Sequence, residues 1–369
     1  MDWLVFGDDW GAHPSTTQHL VRNLPSEDRV LWVNSLGMRA PTLTRHDAKR
    51  AWAKLTRQRQ AAVAAPVAQT AGPTVIEPPV LPWHRVPPVR ALNRLRLQRR
   101  LRAALAQHGF VRPTVLVANP VAVQYLAGLE LGPVVYLRLD DYARLPGIDA
   151  TLARAAEAAL RQRADLVVAT ARALLPTVPV RQALYVPQGV DAAHFGQRPL
   201  VENPVKVLGF FGLLEQWLDW PLMIAAAQQN PDWTFVYIGR AAYVDPALTA
   251  LPNVQLLPPV PYAQLPQHLE TWRAAWAPFA LNELTMAVNP LKLREYLAAG
   301  LPTACAPIPE ASGVHPDVTL VRTAADVTAW LATTLADTPA RALARREAMA
   351  AETWAARARV MRDAVLKLA

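Results

Sequence analysis

Asn289-Pro290-Leu291-Lys292-Leu293-Arg294-Glu295-Tyr296-Leu297-Ala298-Ala299-Gly300-Leu301-Pro302 is the stretch whose reading decides the fold. Asn289 is suited to cap a helix, Pro290 to fill its first turn and Gly300 to end it. The unpaired amides and positive dipole end of such a helix attract anions, and Lys292 adds a full charge in the first turn. Glu295, three residues on, shares the face of Lys292 and stands where a carboxylate accepts hydrogen bonds from a ribose. Diphosphate beside ribose means a nucleotide, held by Pro290, Leu291, Lys292 and Glu295. The plainer alternative is a capped surface helix with an exposed Lys/Glu pair.

Outward from this helix, strand-like runs alternate with helical ones, the pattern of parallel sheets with crossover helices. The first series predicts strands at Trp3–Gly7, Val30–Asn34, Thr114–Ala118, Val134–Leu139, Asp165–Thr170 and Ala183–Val186. Helices are expected at Ser15–Leu24, Ala91–Gln107, Thr151–Gln162 and Ala171–Leu175. A second series predicts strands at Val205–Gly209, Thr234–Gly239, Val254–Leu256, Ala274–Pro278, Thr303–Ala306 and Thr319–Arg322. Pro187, Gly189, Pro199 and Pro204 punctuate the chain between the two series and suit a domain linker. The stretch Pro66 to Pro88 holds seven prolines and reads as an extended loop. Two Rossmann-like units are the simplest solution.

With 369 residues, 52% of them apolar and 18% charged, the chain can bury two substantial cores. One cysteine, Cys305, leaves no disulfide framework or thiolate zinc cluster, and points to the cytoplasm. No run approaches the ~20 apolar residues of a membrane span. The net charge of +9 is uneven: residues 1–200 carry 25 Lys and Arg against 14 Asp and Glu, the remainder 13 against 15. Most of the excess falls in Arg39–Arg59 and Arg85–Arg102, seven Lys or Arg each, within which Asp47 is the one acid. An anionic surface partner for the first half, an anionic membrane above all, fits that asymmetry. Solvated arginine-rich helix faces are the alternative. No compact nucleic-acid-reading motif is present, so nucleic acid is not expected.

Pro290 to Pro302 resembles the nucleotide-sugar segment of GT-B glycosyltransferases, in particular the glycosyltransferase family 4-like group, where P-x-K-x-x-E-Y-x-A-x-G-x-P recurs. Val186-Pro187-Gln188-Gly189-Val190-Asp191-Ala192-Ala193-His194-Phe195 is similar to the P-N-G-V-D-x-x-x-F linker of the same enzymes, and the loop Gly209 to Gly212 after the first strand of the second series to their phosphate loop. The resemblance implies an α/β fold of GT-B type, two Rossmann-like domains facing a central cleft. The expected bounds are 1–196 for an acceptor-side domain, 197–345 for a nucleotide-sugar domain and 346–369 for a C-terminal helix crossing back to the first. It implies sugar transfer from a nucleotide-diphosphate sugar, a UDP-sugar favoured, to a saccharide or lipid-linked saccharide, with no cofactor and no metal. Where the family has the first Glu of a pair spaced by eight, this chain has Ala287, with Glu283 four residues earlier. That departure favours direct displacement with inversion. Gly212, Leu213, Glu283 and Thr285 are expected beside Pro290, Leu291, Lys292 and Glu295 around the donor.

In the first series, Tyr136-Leu137-Arg138-Leu139-Asp140-Asp141 puts two carboxylates just past a strand end, where each raises the pKa of the other and favours a base near neutral pH. This Tyr-x-x-x-Asp resembles that of the xanthan glucuronosyltransferase type of GT-B enzyme, which implies Asp140 as the base, with Asp141 beside it. His13, in the polar loop after the first strand, is the second candidate base. A GT-B nucleotide-sugar epimerase and a non-catalytic nucleotide-binding module that docks on membranes are the alternatives to a transferase.

Overall fold

The computed structural model describes residues 1–12, 14–37, 72–81, 83, 86–200 and 205–368. His13, the stretch Arg39–Arg59 and Arg85 lie outside the described residues. The chain divides into two units: residues 1–170, 174–186 and 358–369 form the first, and 171–173 with 187–357 the second.

The first unit is built on a seven-stranded parallel sheet of order β3-β2-β1-β4-β5-β6-β7. Its strands are β1 (Asp2–Phe6), β2 (Arg29–Val33), β3 (Thr74–Ile76), β4 (Thr114–Val117), β5 (Val134–Arg138), β6 (Leu166–Ala169) and β7 (Ala183–Tyr185). The longer helices are α1 (Thr16–Arg22), α2 (Pro87–Gln107) and α3 (Ala150–Arg163). The near-continuous apolar character of β1, β4, β5 and β6 follows from burial on both faces, which parallel sheets require. Leu4, Phe6, Val115, Val117, Val134 and Tyr136 meet Leu97, Leu101 and Leu160 in one core.

Two sequence expectations are corrected here. Val75 and Ile76, inside the proline-rich stretch read as loop, form the short strand β3 against β2. Three residues give too brief an alternation to stand out beside so many prolines. Ala171–Leu175 is not a helix but a 3-10 turn, Arg172–Leu174, since Pro176 and Pro179 follow too closely for a helix to propagate.

The second unit has six parallel strands in the order β10-β9-β8-β11-β12-β13, the doubly wound arrangement whose first strand lies at the centre. These are β8 (Val207–Phe211), β9 (Thr234–Ile238), β10 (Val254–Leu257), β11 (Ala274–Ala277), β12 (Thr303–Cys305) and β13 (Val318–Leu320). Around them run α4 (Trp220–Gln229), α5 (Leu291–Ala298), α6 (Ala324–Thr334) and α7 (Pro339–Met349). Strand β8 starts two residues later than its composition suggests and carries Phe210 and Phe211, which the sequence placed in the turn. Both rings are buried in the core, and that burial extends the strand.

Helix α8 (Trp354–Leu366) begins in the second unit, and its residues from Ala358 onward belong to the first. There Arg362 meets the buried carboxylate of Asp28, its Nε 2.8 Å and Nη2 3.0 Å from the two oxygens. The amino group of Met1 (2.6 Å) and the Trp3 indole (3.0 Å) complete the set of donors to Asp28. Among the described residues no helix is long and apolar enough to cross a membrane.

Candidate functional site

Helix α5 opens on Pro290, which holds the N-cap position with no side-chain hydrogen bond. Asn289 does not cap it, contrary to the sequence reading. Its side chain turns away, donating to Glu310 Oε2 (3.0 Å) and accepting from Arg294 Nη1 (2.8 Å). Two buried charged groups outbid the helix start for this amide, because hydrogen bonds to ions are the stronger ones. The first-turn amides at Leu291 and Lys292 are therefore left without a side-chain cap, ready for an anion. At the other end Gly300, at φ +80°, closes the helix, with its amide on Leu297 O (2.8 Å) and that of Leu301 on Tyr296 O (2.9 Å).

The loop ending β8 is fitted to this helix start. Tyr296, buried on α5, accepts at its hydroxyl from the amide of Phe211 (3.2 Å), fixing the end of β8 against the helix. Gly212 follows at φ +149°, where a Cβ would overlap Lys292 Cε and lie 2.9 Å from Nζ. Gly239, at the end of β9, is as confined, for a Cβ there would strike the carbonyl of Gly212. The two glycines let the strand ends and the lysine stem converge. Lys292 Nζ lies 5.6 Å from the centre of the Phe210 ring, a weak cation–π contact.

Lys292 and Glu295 are the informative pair. No hydrogen bond or ion pair holds either side chain among the described residues, and the two do not come within 4.0 Å of each other. Glu295 is 5% exposed. Burial pushes its carboxyl up to about 7, with Lys292 partly opposing. Burial also lowers the Lys292 ammonium, against the pull of Glu295. Neither polar group is sealed from the surface, since no atom of either is among the fully buried polar atoms that lack a partner, so both remain open to a ligand.

Of the other donor-side candidates, Leu213 is half-buried beside Gly212, and Glu283 is exposed in the loop Pro278–Val288. Thr285 is buried and its hydroxyl is committed to that loop: it donates to Ala280 O (2.5 Å) and accepts from the amide of Asn282 (3.1 Å). These bonds shape the loop that leads into α5. Among the described residues no group of three or more His, Cys, Asp or Glu is placed to hold a metal ion.

In the first unit, Asp140 follows β5 by two residues. Removal from water pushes its carboxyl up to about 7, and the charges of Asp141 and Asp8 add to the shift. Asp141 is ion-paired with Arg144, so its charge is spent on the turn Tyr142–Arg144. Tyr142 donates to Ala118 O (2.6 Å), tying the loop after β5 to the end of β4. Behind it Glu157 accepts from the Tyr136 hydroxyl (2.6 Å) and Arg138 Nε (3.0 Å). Asp8, one of the adjacent acids Asp8 and Asp9 in the polar loop after β1, is not singled out by the sequence, because nothing local tells which distant carboxylate it will face. The sheet order brings it near Asp140, because β1 and β5 both pair with β4.

Two tandem doubly wound parallel units, the second with an uncapped helix start after its fourth strand, have the GT-B fold. No family model matches the chain. Among curated proteins it is similar to TuaH of Bacillus subtilis (strain 168), whose name assigns it to teichuronic acid biosynthesis as a glycosyltransferase. The two are 36% identical over 110 residues, 29% of this chain and 28% of TuaH. The match thus spans well under two thirds of that relative. Among solved structures, Anabaena HepE in complex with UDP and glucose aligns over 99% of each chain, with a TM-score of 0.65 and 15% identity. A UDP-forming trehalose-phosphate synthase from Burkholderia xenovorans aligns over 99% of this chain and 98% of its own, with a TM-score of 0.61 and 12% identity. At such identities the likeness is one of fold.

Proposed function

We propose that this chain is a GT-B glycosyltransferase that moves a sugar from a nucleotide-diphosphate sugar, a UDP-sugar favoured, to a saccharide or lipid-linked saccharide acceptor in cell-surface glycan synthesis. The observation that carries the reading is the unpartnered pair Lys292 and Glu295 at an uncapped helix start. The α5 amides and Lys292 receive the diphosphate, and Glu295 accepts from the ribose hydroxyls. In the transfer the acceptor oxygen forms a bond to the anomeric carbon, the bond from that carbon to the diphosphate oxygen breaks, and the nucleoside diphosphate leaves with the electron pair. Lys292 and the helix dipole stabilise the charge that develops on it. The acceptor proton is assigned to Asp140, whose raised pKa suits a base at neutral pH. The UDP complex of HepE and the biosynthetic assignment of TuaH support this choice of donor and pathway.

The test is calorimetry with UDP on wild type and Lys292→Ala. Loss of one charge-assisted hydrogen bond is worth ~1.5–3 kcal/mol, so UDP affinity should fall roughly 10- to 150-fold. Unchanged affinity would overturn the assignment. Release of UDP from a UDP-sugar only when a saccharide acceptor is added then separates transfer from epimerisation.

A further inference from the structure

We infer that the outer face of α2 is a docking surface for an anionic lipid bilayer, independently of the chemistry assigned to α5. The inward stripe of α2 is fully employed. Leu97, Leu101 and Leu105 are in the core, Asn93 exchanges hydrogen bonds with both backbone groups of Leu81 (2.8 Å each), and Gln98 donates to Tyr125 O and Ala127 O. The outward side carries Arg96, Arg99 and Arg100, exposed and without a hydrogen bond or ion pair among the described residues; Arg90 and Arg94, likewise exposed and unpaired there, precede Leu97 and Leu101 by seven residues each and so continue the line of the inward stripe towards the helix start. The sequence holds no acid at all between Glu77 and Glu130.

Such a helix works against itself in water. Arg90 with Arg94 and Arg96 with Arg100 are like-charge pairs one turn apart, each destabilising by a few tenths of a kcal/mol. A negative surface reverses the sign of that term. Charge alone would fit any polyanion, but apolar side chains stand among the arginines. Leu92 (37% exposed) and Leu95 (47%) share the outer face three residues apart, and Trp83 (49%) and Val86 (41%) stand just before the first turn. A helix lying in the bilayer interface needs both: cations for the headgroups and a shallow apolar insertion beside them. Phosphate recognition on a nucleic acid has no use for the leucines.

The experiment is co-sedimentation of the full chain with phosphatidylglycerol–phosphatidylcholine vesicles and with pure phosphatidylcholine vesicles over a salt series, UDP binding being measured on every variant. Wild type should bind the anionic vesicles, lose them as salt rises, and bind the neutral ones poorly. Arg96→Gln/Arg99→Gln/Arg100→Gln should weaken partition roughly 100-fold, at about tenfold or less per charge near a surface. Leu92→Ser/Leu95→Ser should lower the binding that persists at raised salt. Brominated-acyl lipid should quench a part of the tryptophan emission that Trp83→Phe lacks. UDP affinity should stay at the wild-type value throughout, so a failure here is distinct from a failure of the nucleotide site. Equal binding to neutral vesicles, a triple variant that partitions like wild type, or binding that duplex DNA abolishes while the leucine variant behaves as wild type would each overturn the assignment.

Discussion

Glu295 sits in the second turn of α5 with no donor to satisfy it, and its position has consequences for both binding and stability. Its carboxyl is raised from an ordinary 4.5 to about 7 by burial. A ribose hydroxyl donates to the ionised form, so UDP affinity should drop as pH falls through about 7. The dependence should flatten in Glu295→Ala, as calorimetry between pH 6 and 8, roughly one unit to either side of that value, would record. The stability effect has the opposite sign. A group whose folded pKa lies above its unfolded one binds more protons in the folded state, so stability declines as pH rises from 4.5 through about 7. Glu295→Gln should therefore melt higher than wild type at pH 8 and close to it near pH 4, while binding UDP less well. A melting point at pH 8 no higher than that of wild type would count against an unpaired buried carboxylate. Sequence showed the helix, the lysine and this acid, since their spacing is local. It misplaced Asn289, because the competing partners Glu310 and Arg294 are decided by packing.

At the scale of elements, the first-unit part of α8 is tied through Arg362 to the buried carboxylate of Asp28, alongside the packing of Met361 and Val365. Burial by itself would raise Asp28. Hydrogen bonds from Arg362, the Met1 amino group and the Trp3 indole more than reverse this and hold it down at about 2. Its folded pKa is thus below the unfolded 3.8, so the stabilisation is fully present above about 4 and is lost as pH falls towards 2. Asp28→Asn should cost about 1.5–3 kcal/mol at neutral pH, the worth of a hydrogen bond to a charged group, and should flatten the acid limb of the unfolding curve. Urea titrations at pH 7 and pH 3 would show it, and an unshifted midpoint in the variant would mean that the cluster does not anchor the helix. Of Trp354, Val360, Met361 and Leu366, the apolar positions from which the sequence predicts packing by this helix, Trp354 and Met361 are buried while Val360 and Leu366 are exposed, and Val365 is buried in their stead. That Arg362 reaches a carboxylate 334 positions earlier was not legible in the sequence, as nothing local connects them.

For the whole molecule, the proposal that Asp140 of the first unit is the base while Lys292 and Glu295 of the second hold the nucleotide gives the sharpest expectation. Asp140→Asn should lower sugar transfer on the order of 10²- to 10⁴-fold, the usual cost of losing a general base, while UDP binding stays as in wild type. Asp141→Asn should retain more activity, since Asp141 is bound up with Arg144. Radiolabelled sugar transfer together with calorimetry would decide. Near-normal turnover in Asp140→Asn would pass the role to another group, His13 first among them. The alternation of strands and helices, the glycines at strand ends and the α5 segment were fixed by the sequence itself, because period, turn chemistry and capping act over a few residues. The order of the two sheets, the brief β3, the commitment of Thr285 to its own loop and the nearness of Asp8 to Asp140 were decided only by tertiary structure. Each depends on which distant segments share a sheet edge or a core, and burial, not local preference, sets that choice.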